Sequence, residues 1–75
     1  MAKLPVISGR EAGKAFAKLN FAYDHHQGSH MIYYHPSGRH LSIPDHKELD
    51  RGTLRKLIRH AGITVEEFLA LLQGS

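Results

Sequence analysis

The sequence predicts a two-layer α+β domain in which a three-stranded antiparallel sheet carries its helices on one face. Apolar residues recur at helical spacing near both ends of the chain, whereas residues 30–43 alternate as in a strand. Gly28-Ser29 and Pro36-Ser37-Gly38 are turn signals that divide the central region into three short segments. Since a sheet with one apolar face must bury it under helices, the 75 residues are expected to form one domain, residues 1–75.

The first helix is predicted from a capping box. Ser8 stands three residues before Glu11, a spacing at which each side chain can bond the other's backbone amide. The helix is expected to run to about Leu19, with Asn20 as a left-handed stop. Its buried stripe is expected to consist of Ala12, Phe16 and Leu19.

Three strands are predicted over residues 21–27, 30–35 and 39–43, and they would form a meander. If Pro36-Ser37-Gly38 is a three-residue loop, Tyr33 lies opposite Leu41 and Met31 lies opposite Ile43. These four residues share an apolar face, which we expect to face the core. The other, mostly polar face carries His30, Ile32, Tyr34, His40 and Ser42. A slip of one residue would exchange the two faces.

Two helices are predicted after Pro44. Asp50 is expected to cap a helix over residues 51–61, and Gly62 is expected to end it. Thr64 and Glu67 form a second capping box, from which a last helix begins.

His30 is the residue on which the functional interpretation depends. It lies on the open face just after the Gly28-Ser29 turn and opposite Pro44, so the loop with His46 and Lys47 should come near it. The next helix begins there with Arg51, and its free amides at positions 52–54 are expected to suit a phosphate. An imidazole beside basic groups can bind a phosphodiester and move a proton. The alternative is that His30 is an ordinary surface histidine.

Composition limits the classes of function. Lys and Arg outnumber Asp and Glu by 10 to 7, for a net charge of +3, so polyanions are plausible partners. The chain has no cysteine, which excludes disulfides and thiolate metal sites. Seven histidines leave zinc open, but no H-x-x-x-H pair lies on a predicted helix, and no metal or cofactor is predicted. No apolar run is long enough for a membrane span, so a cytoplasmic protein is expected.

The order of several short motifs resembles a known family. Gly28-Ser29-His30 is followed by Pro44-Asp45-His46 and then by Gly52-Thr53-Leu54. The chain continues through Ala61-Gly62-Ile63-Thr64 to Glu66-Glu67-Phe68. In this order, the motifs resemble the HicA toxins of bacterial toxin–antitoxin pairs, over nearly the whole chain.

The resemblance implies a double-stranded-RNA-binding-like fold and an mRNA endonuclease that is silenced by a HicB antitoxin. It places the catalytic histidine at His30. Our hypothesis is that His30 is a general base that takes the proton of a ribose 2′-hydroxyl, without a metal. We interpret His46 as the acid, with Lys47 or Arg51 steadying the phosphorane charge. The expected RNA-binding residues are Gly28, Ser29, Arg39, Lys47, Arg51, Thr53 and Arg55.

Two other functions fit the same residues. One is a non-catalytic RNA-binding module in which His30 only makes a contact. The other is an inert partner subunit whose basic face binds an acidic antitoxin. RNA that stays intact at saturating protein would favour the first, and failure to bind RNA without a partner would favour the second.

Overall fold

The structure is a computed structural model that describes residues 3–73. Its element order is helix, three strands and two helices, which confirms the predicted α+β fold and the α-β-β-β-α-α succession. The elements are α1 (Gly9–Ala17), β1 (Ala22–Gln27), β2 (His30–Tyr34), β3 (His40–Pro44), α2 (Arg51–Ala61) and α3 (Val65–Gln73). The sheet has the order β1-β2-β3, and both pairs are antiparallel.

Local capping begins α1 as predicted, but the helix ends two residues early. The Glu11 amide donates to Ser8 Oγ at 3.0 Å, and the Ser8 amide donates to Glu11 Oε1 at 2.9 Å. The helix ends at Ala17 rather than about Leu19, because the next three amides bond to the carbonyls three residues back. Asn20 then takes the predicted left-handed conformation, with φ 74°.

The predicted caps of the other two helices are confirmed. The Thr53 amide donates to Asp50 Oδ1 at 2.9 Å, and Gly62 ends α2 with φ 80°. Thr64 and Glu67 exchange the two bonds of a capping box, at 2.9 and 3.1 Å. Because these signals act within four residues of chain, they could be identified before the packing was known.

The strand register is also the predicted one. Tyr33 pairs with Leu41 and Met31 pairs with Ile43, and all four are buried in the core. The strands begin or end one residue away from the predicted bounds. In β1 the register shifts between Tyr23 and His25, which the sequence did not indicate. This bulge leaves Asp24 without a partner in β2.

The core lies between the apolar face of the sheet and the three helices. Its aromatic centre is Phe16 of α1, whose ring lies 5.0 Å from that of Phe68 and 6.2 Å from that of Phe21. Phe16 and Phe68 are both fully buried, so α3 covers α1 instead of extending the chain into solvent. The predicted stripe of α1 is confirmed, with Ala12 and Phe16 buried and Leu19 packed against them.

Gly9 allows α1 to approach the end of β3. Its amide donates to the His46 carbonyl at 2.9 Å, and a Cβ built on it would collide with the backbone oxygen of Pro44. We therefore expect Gly9→Ala to lower the free energy of unfolding by about 1–3 kcal/mol, as overpacking does. Urea denaturation would measure the loss.

Gly52→Ala is the matched control for this prediction. The nearest atom to a Cβ at Gly52 is Asp50 Oδ1 at 3.2 Å, the end of an exposed side chain. Alanine is also the better helix former, so this variant should be as stable as the wild type or slightly more stable. Equal losses in the two variants would show that the approach at Gly9 is unimportant.

Candidate functional site

A groove lies between the open face of the sheet and α2, and we call it the His30 groove. Its volume is about 340 Å³. The residues that line it are His30, His40, Ser42, Pro44, Thr53, Lys56, Leu57 and His60. It therefore combines three imidazoles, two hydroxyls and a lysine, and no Asp or Glu of residues 3–73 lines it.

The local backbone places His30 at one end of this groove. Gly28 takes the left-handed conformation that the turn requires, with φ 62°, and His30 opens β2 opposite Pro44 as predicted. The Asp45 amide donates to the Ser29 carbonyl at 2.8 Å, so the turn is tied to the loop after β3. These backbone bonds hold an exposed side chain at a defined position.

His30 has a hydrogen-bond partner that fixes its ring. Its Nδ1 lies 2.8 Å from Oγ of Ser42, a residue on the same face of the neighbouring strand. In the neutral tautomer that donates from Nδ1, the lone pair is on Nε2. Nε2 makes no hydrogen bond within the described chain. In that tautomer His30 can accept a proton at Nε2 while Ser42 holds the ring.

α2 runs antiparallel to β3 along the other side of the groove. Arg39, just before β3, donates from Nη1 to the His60 carbonyl at 2.9 Å, which places the end of α2 beside the start of β3. The start of α2 correspondingly lies toward Pro44 and His30. One end of the groove therefore carries His30 and the other carries His40 and His60, with Ser42 and Lys56 between them.

Lys56 is the lysine of this groove, and it was not among the residues predicted from the sequence. It is exposed and forms no hydrogen bond or ion pair within residues 3–73. His40, Ser42 and His60 were not predicted as site residues either. One signal was present: Thr53, Lys56, Leu57 and His60 follow the i, i+3, i+4, i+7 spacing of one helix face.

Several predicted site residues lie elsewhere. Arg51 donates from Nε to the Leu4 carbonyl at 3.0 Å, and Arg55 lines a separate concavity at the α2–α3 junction. Arg39 is bonded to the end of α2, as described above. His46 and Lys47 are exposed in the loop after β3. Neither is among the described residues that line the His30 groove. The assignment of His46 as the acid stays a prediction.

The expected phosphate site at the start of α2 needs correction. Amides there were predicted to be free, but the Thr53 amide donates to Asp50 Oδ1 at 2.9 Å and the Leu54 amide donates to the Asp50 carbonyl at 3.1 Å. The Thr53 amide bond, and then the bond that Thr53 Oγ1 donates to Asp50 Oδ2 at 2.9 Å, lower the pKa of Asp50. Its carboxylate occupies the position that a phosphate would take, because the cap and the anion compete for the same amides.

A second polar cluster lies on the other side of the sheet. Asp45 accepts from Arg10 Nε and Nη2 at 3.1 and 3.2 Å, and His26 Nε2 lies 3.0 Å from it. His26 Nδ1 is in turn 2.7 Å from the Tyr23 hydroxyl. His25 and His26 face opposite sides, as predicted. This cluster ties α1 and β1 to the loop after β3.

The cluster predicts an acid-sensitive contribution to stability. The Arg10 hydrogen bonds, and then the His26 bond, hold the pKa of Asp45 at about 2, below its ordinary 3.8. Because the folded pKa is the lower one, the contribution is complete above about pH 4 and is lost as the pH falls through about 2. Asp45→Asn should reduce stability modestly near neutral pH and flatten its decline over this range.

Urea midpoints measured at several pH values would check this expectation. Asp24→Asn is the control, because within residues 3–73 the Asp24 side chain is hydrogen-bonded only to the exposed His25 ring beside it. An Asp45→Asn curve parallel to the wild type at every pH would contradict the role of Asp45.

The described residues contain neither a metal-binding cluster nor a membrane-spanning helix. In this range no three His, Cys, Asp or Glu side chains come together as a possible metal site. No helix over positions 3–73 is both long and apolar enough to cross a membrane.

Comparison with known families identifies the chain. No curated protein matches it. The family described as the HicA toxin of bacterial toxin–antitoxin pairs matches residues 9–63, a span that includes His30 and every residue of the His30 groove. This match confirms the predicted resemblance and implies a cognate antitoxin and an RNA substrate. Since the match covers well over half of the 75 residues, the protein belongs to the HicA toxin family.

Proposed function

We propose that this toxin stops translation by cutting mRNA, with His30 as the general base, and that a HicB-type antitoxin silences it. The observation that carries the proposal is the hydrogen bond of 2.8 Å between His30 Nδ1 and Ser42 Oγ at the end of a groove that also contains Lys56. The bond holds the ring, and when Nδ1 donates to Ser42 Oγ, Nε2 carries the lone pair that takes the proton. The lysine supports binding of an RNA phosphate beside that nitrogen.

The proposed reaction uses the RNA's own 2′-hydroxyl as nucleophile. Nε2 of His30 takes the proton of this hydroxyl, and the oxygen attacks the adjacent phosphorus. The bond from phosphorus to the 5′-oxygen breaks, and that oxygen takes up a proton. The products are a 2′,3′-cyclic phosphate and a 5′-hydroxyl. The imidazole supplies the base, so the step requires no metal.

The remaining roles follow from where charge develops. Negative charge grows on the non-bridging phosphate oxygens, and Lys56 is better placed for it than the predicted Lys47 or Arg51, since Lys56 alone of the three lines the groove. Gly28 and Ser29 are proposed to contact RNA as neighbours of His30 in the turn. His46 remains our proposal for the acid, although it does not line the groove.

End mapping of a defined RNA tests the proposal. Purified protein and a single-stranded RNA should yield fragments with 2′,3′-cyclic phosphate and 5′-hydroxyl ends, and EDTA should leave the rate unchanged. A 2′-deoxy substitution at the mapped site should abolish cleavage there. Intact RNA at saturating protein would instead favour the non-catalytic binding module. Cleavage that EDTA stops would show that a metal takes part.

Expression in cells tests the toxin–antitoxin part of the proposal. The protein should arrest growth in the cytoplasm, where message is translated, and co-expression of the neighbouring gene should relieve the arrest. A neighbouring product without HicB-like sequence that relieves the arrest would contradict the proposed antitoxin class.

A further inference from the structure

The end of the groove away from His30 carries groups that the proposed reaction does not use. Tyr34 and His40 are cross-strand partners on the open face, and their rings lie 6.0 Å apart. Tyr34 is 47% exposed, so much of its ring is open to solvent. His60 lies at the same end on α2. Neither imidazole makes a hydrogen bond to another described residue.

The strand geometry gives the distance between this end and His30. His30, Ile32 and Tyr34 share the open face of β2, and four residues of strand span about 13 Å. Ile32 is 6% exposed although it faces away from the core, and it is flanked by His25 and Ser42 on the adjacent strands. It fills the space between His30 and Tyr34, so the two side chains stand apart at a fixed separation.

We infer that Tyr34, His40 and His60 form a nucleotide subsite that holds a residue of single-stranded RNA next to the reacting phosphate. The inference rests on the proposed function, because it takes His30 as the place of cleavage. Tyr34 offers an exposed aromatic face on which a base can stack. The imidazoles of His40 and His60 offer nitrogen donors and acceptors to the base edge or ribose. Lys56 lies between the subsite and His30, beside the reacting phosphate.

The charge of the groove argues for a nucleic acid here. The described lining contains Lys56 and three histidines but no carboxylate, and the nearby Asp50 carboxylate is hydrogen-bonded to Thr53 at the start of α2, so the lining itself favours an anionic chain. A stacked base beside a bound phosphate also holds the RNA in line for attack by its 2′-oxygen. The subsite therefore contributes to positioning as well as to affinity.

Tyr34→Ala tests the subsite in a steady-state cleavage assay with a defined single-stranded RNA. Base–aromatic stacking is worth about 1–3 kcal/mol per base, so kcat/KM should fall between about fivefold and about 150-fold. Tyr34→Phe should retain nearly all activity because it keeps the ring. Tyr23→Ala is the matched control, since Tyr23 is 51% exposed but hydrogen-bonds His26 on the other face of the sheet.

Abasic RNA separates stacking from a structural effect of the substitution. One base on each side of the mapped cleavage site is removed in turn. On one of the two abasic substrates, the wild type should lose as much kcat/KM as Tyr34→Ala loses on intact RNA. On that same substrate, Tyr34→Ala should have nearly the kcat/KM that it has on intact RNA. A Tyr34→Ala loss that persists in full on both abasic substrates would overturn the subsite, as would wild-type kcat/KM for Tyr34→Ala on intact RNA.

Binding distinguishes failure of the subsite from failure of the proposed function. If the wild type leaves every RNA intact, the cleavage proposal fails, and the subsite is judged by fluorescence anisotropy with the same substrates. The subsite then requires Tyr34→Ala to weaken binding to intact RNA about fivefold or more and to leave binding to one abasic RNA unchanged. Equal affinities of Tyr34→Ala and wild type for intact RNA would overturn it.

Discussion

Replacing His30 by glutamine is expected to slow RNA cleavage by about 10²–10⁴-fold, the contribution that one positioned acid–base group makes. Glutamine keeps a polar side chain that can still bond Ser42 Oγ, but it cannot take the proton of the ribose 2′-hydroxyl. Binding of RNA should therefore change far less than the rate. Single-turnover cleavage and anisotropy titrations, measured on the same substrate, would separate the two quantities.

His25→Gln is the matched control for this variant. His25 is also an exposed histidine of the sheet, and it pairs with Ile32 on β2, the strand that carries His30. It is not among the described residues that line the groove. Its cleavage rate should equal that of the wild type. A His30→Gln protein that cuts RNA at the wild-type rate would exclude His30 as the base. Growth arrest on expression of His30→Gln, as strong as with the wild type, would exclude it in cells.

Truncating Phe68 to alanine should lower the free energy of unfolding by about 3–5 kcal/mol. Phe68 is fully buried, and its ring lies 5.0 Å from that of Phe16 at the centre of the core. A domain of this size buries a modest fraction of its surface, so such a loss is a large part of its total stability. Urea denaturation would measure the loss, and protease sensitivity would confirm it.

This prediction also bears on the extent of the domain. Phe68 belongs to α3, which lies outside the span that matches the family, residues 9–63. We propose that residues 1–75 fold as one unit, and a cooperative loss on Phe68→Ala would support this. Glu66→Ala on the exposed face of α3 is the control and should change stability little. If Phe68→Ala melted α3 alone and left the rest of the cooperative transition unchanged, α3 would be an appendage.

Local signals account for most of what could be predicted about the fold. The caps at Ser8, Asp50 and Thr64 act within four residues of chain, and Gly62 needs only its own backbone angles. Alternation over 30–43 then determined the register, because a slip would have buried polar side chains. The bulge in β1 was not predictable in this way, since its residues are all exposed and carry no alternation.

The candidate site was likewise predictable only in the part that depends on neighbouring residues of the chain. The sequence alone determined that His30 follows a turn and shares the open face with Ser42 and Tyr34, because turn residues and strand period are properties of neighbouring positions. Only the tertiary structure decided which side chains join His30. Docking of α2 antiparallel to β3 brings in Lys56 and His60, and it turns Arg51 and Arg55 elsewhere. The physical reason is that helix packing follows from burying Leu54, Leu57 and Ile58, and the direction of each exposed side chain follows from that packing.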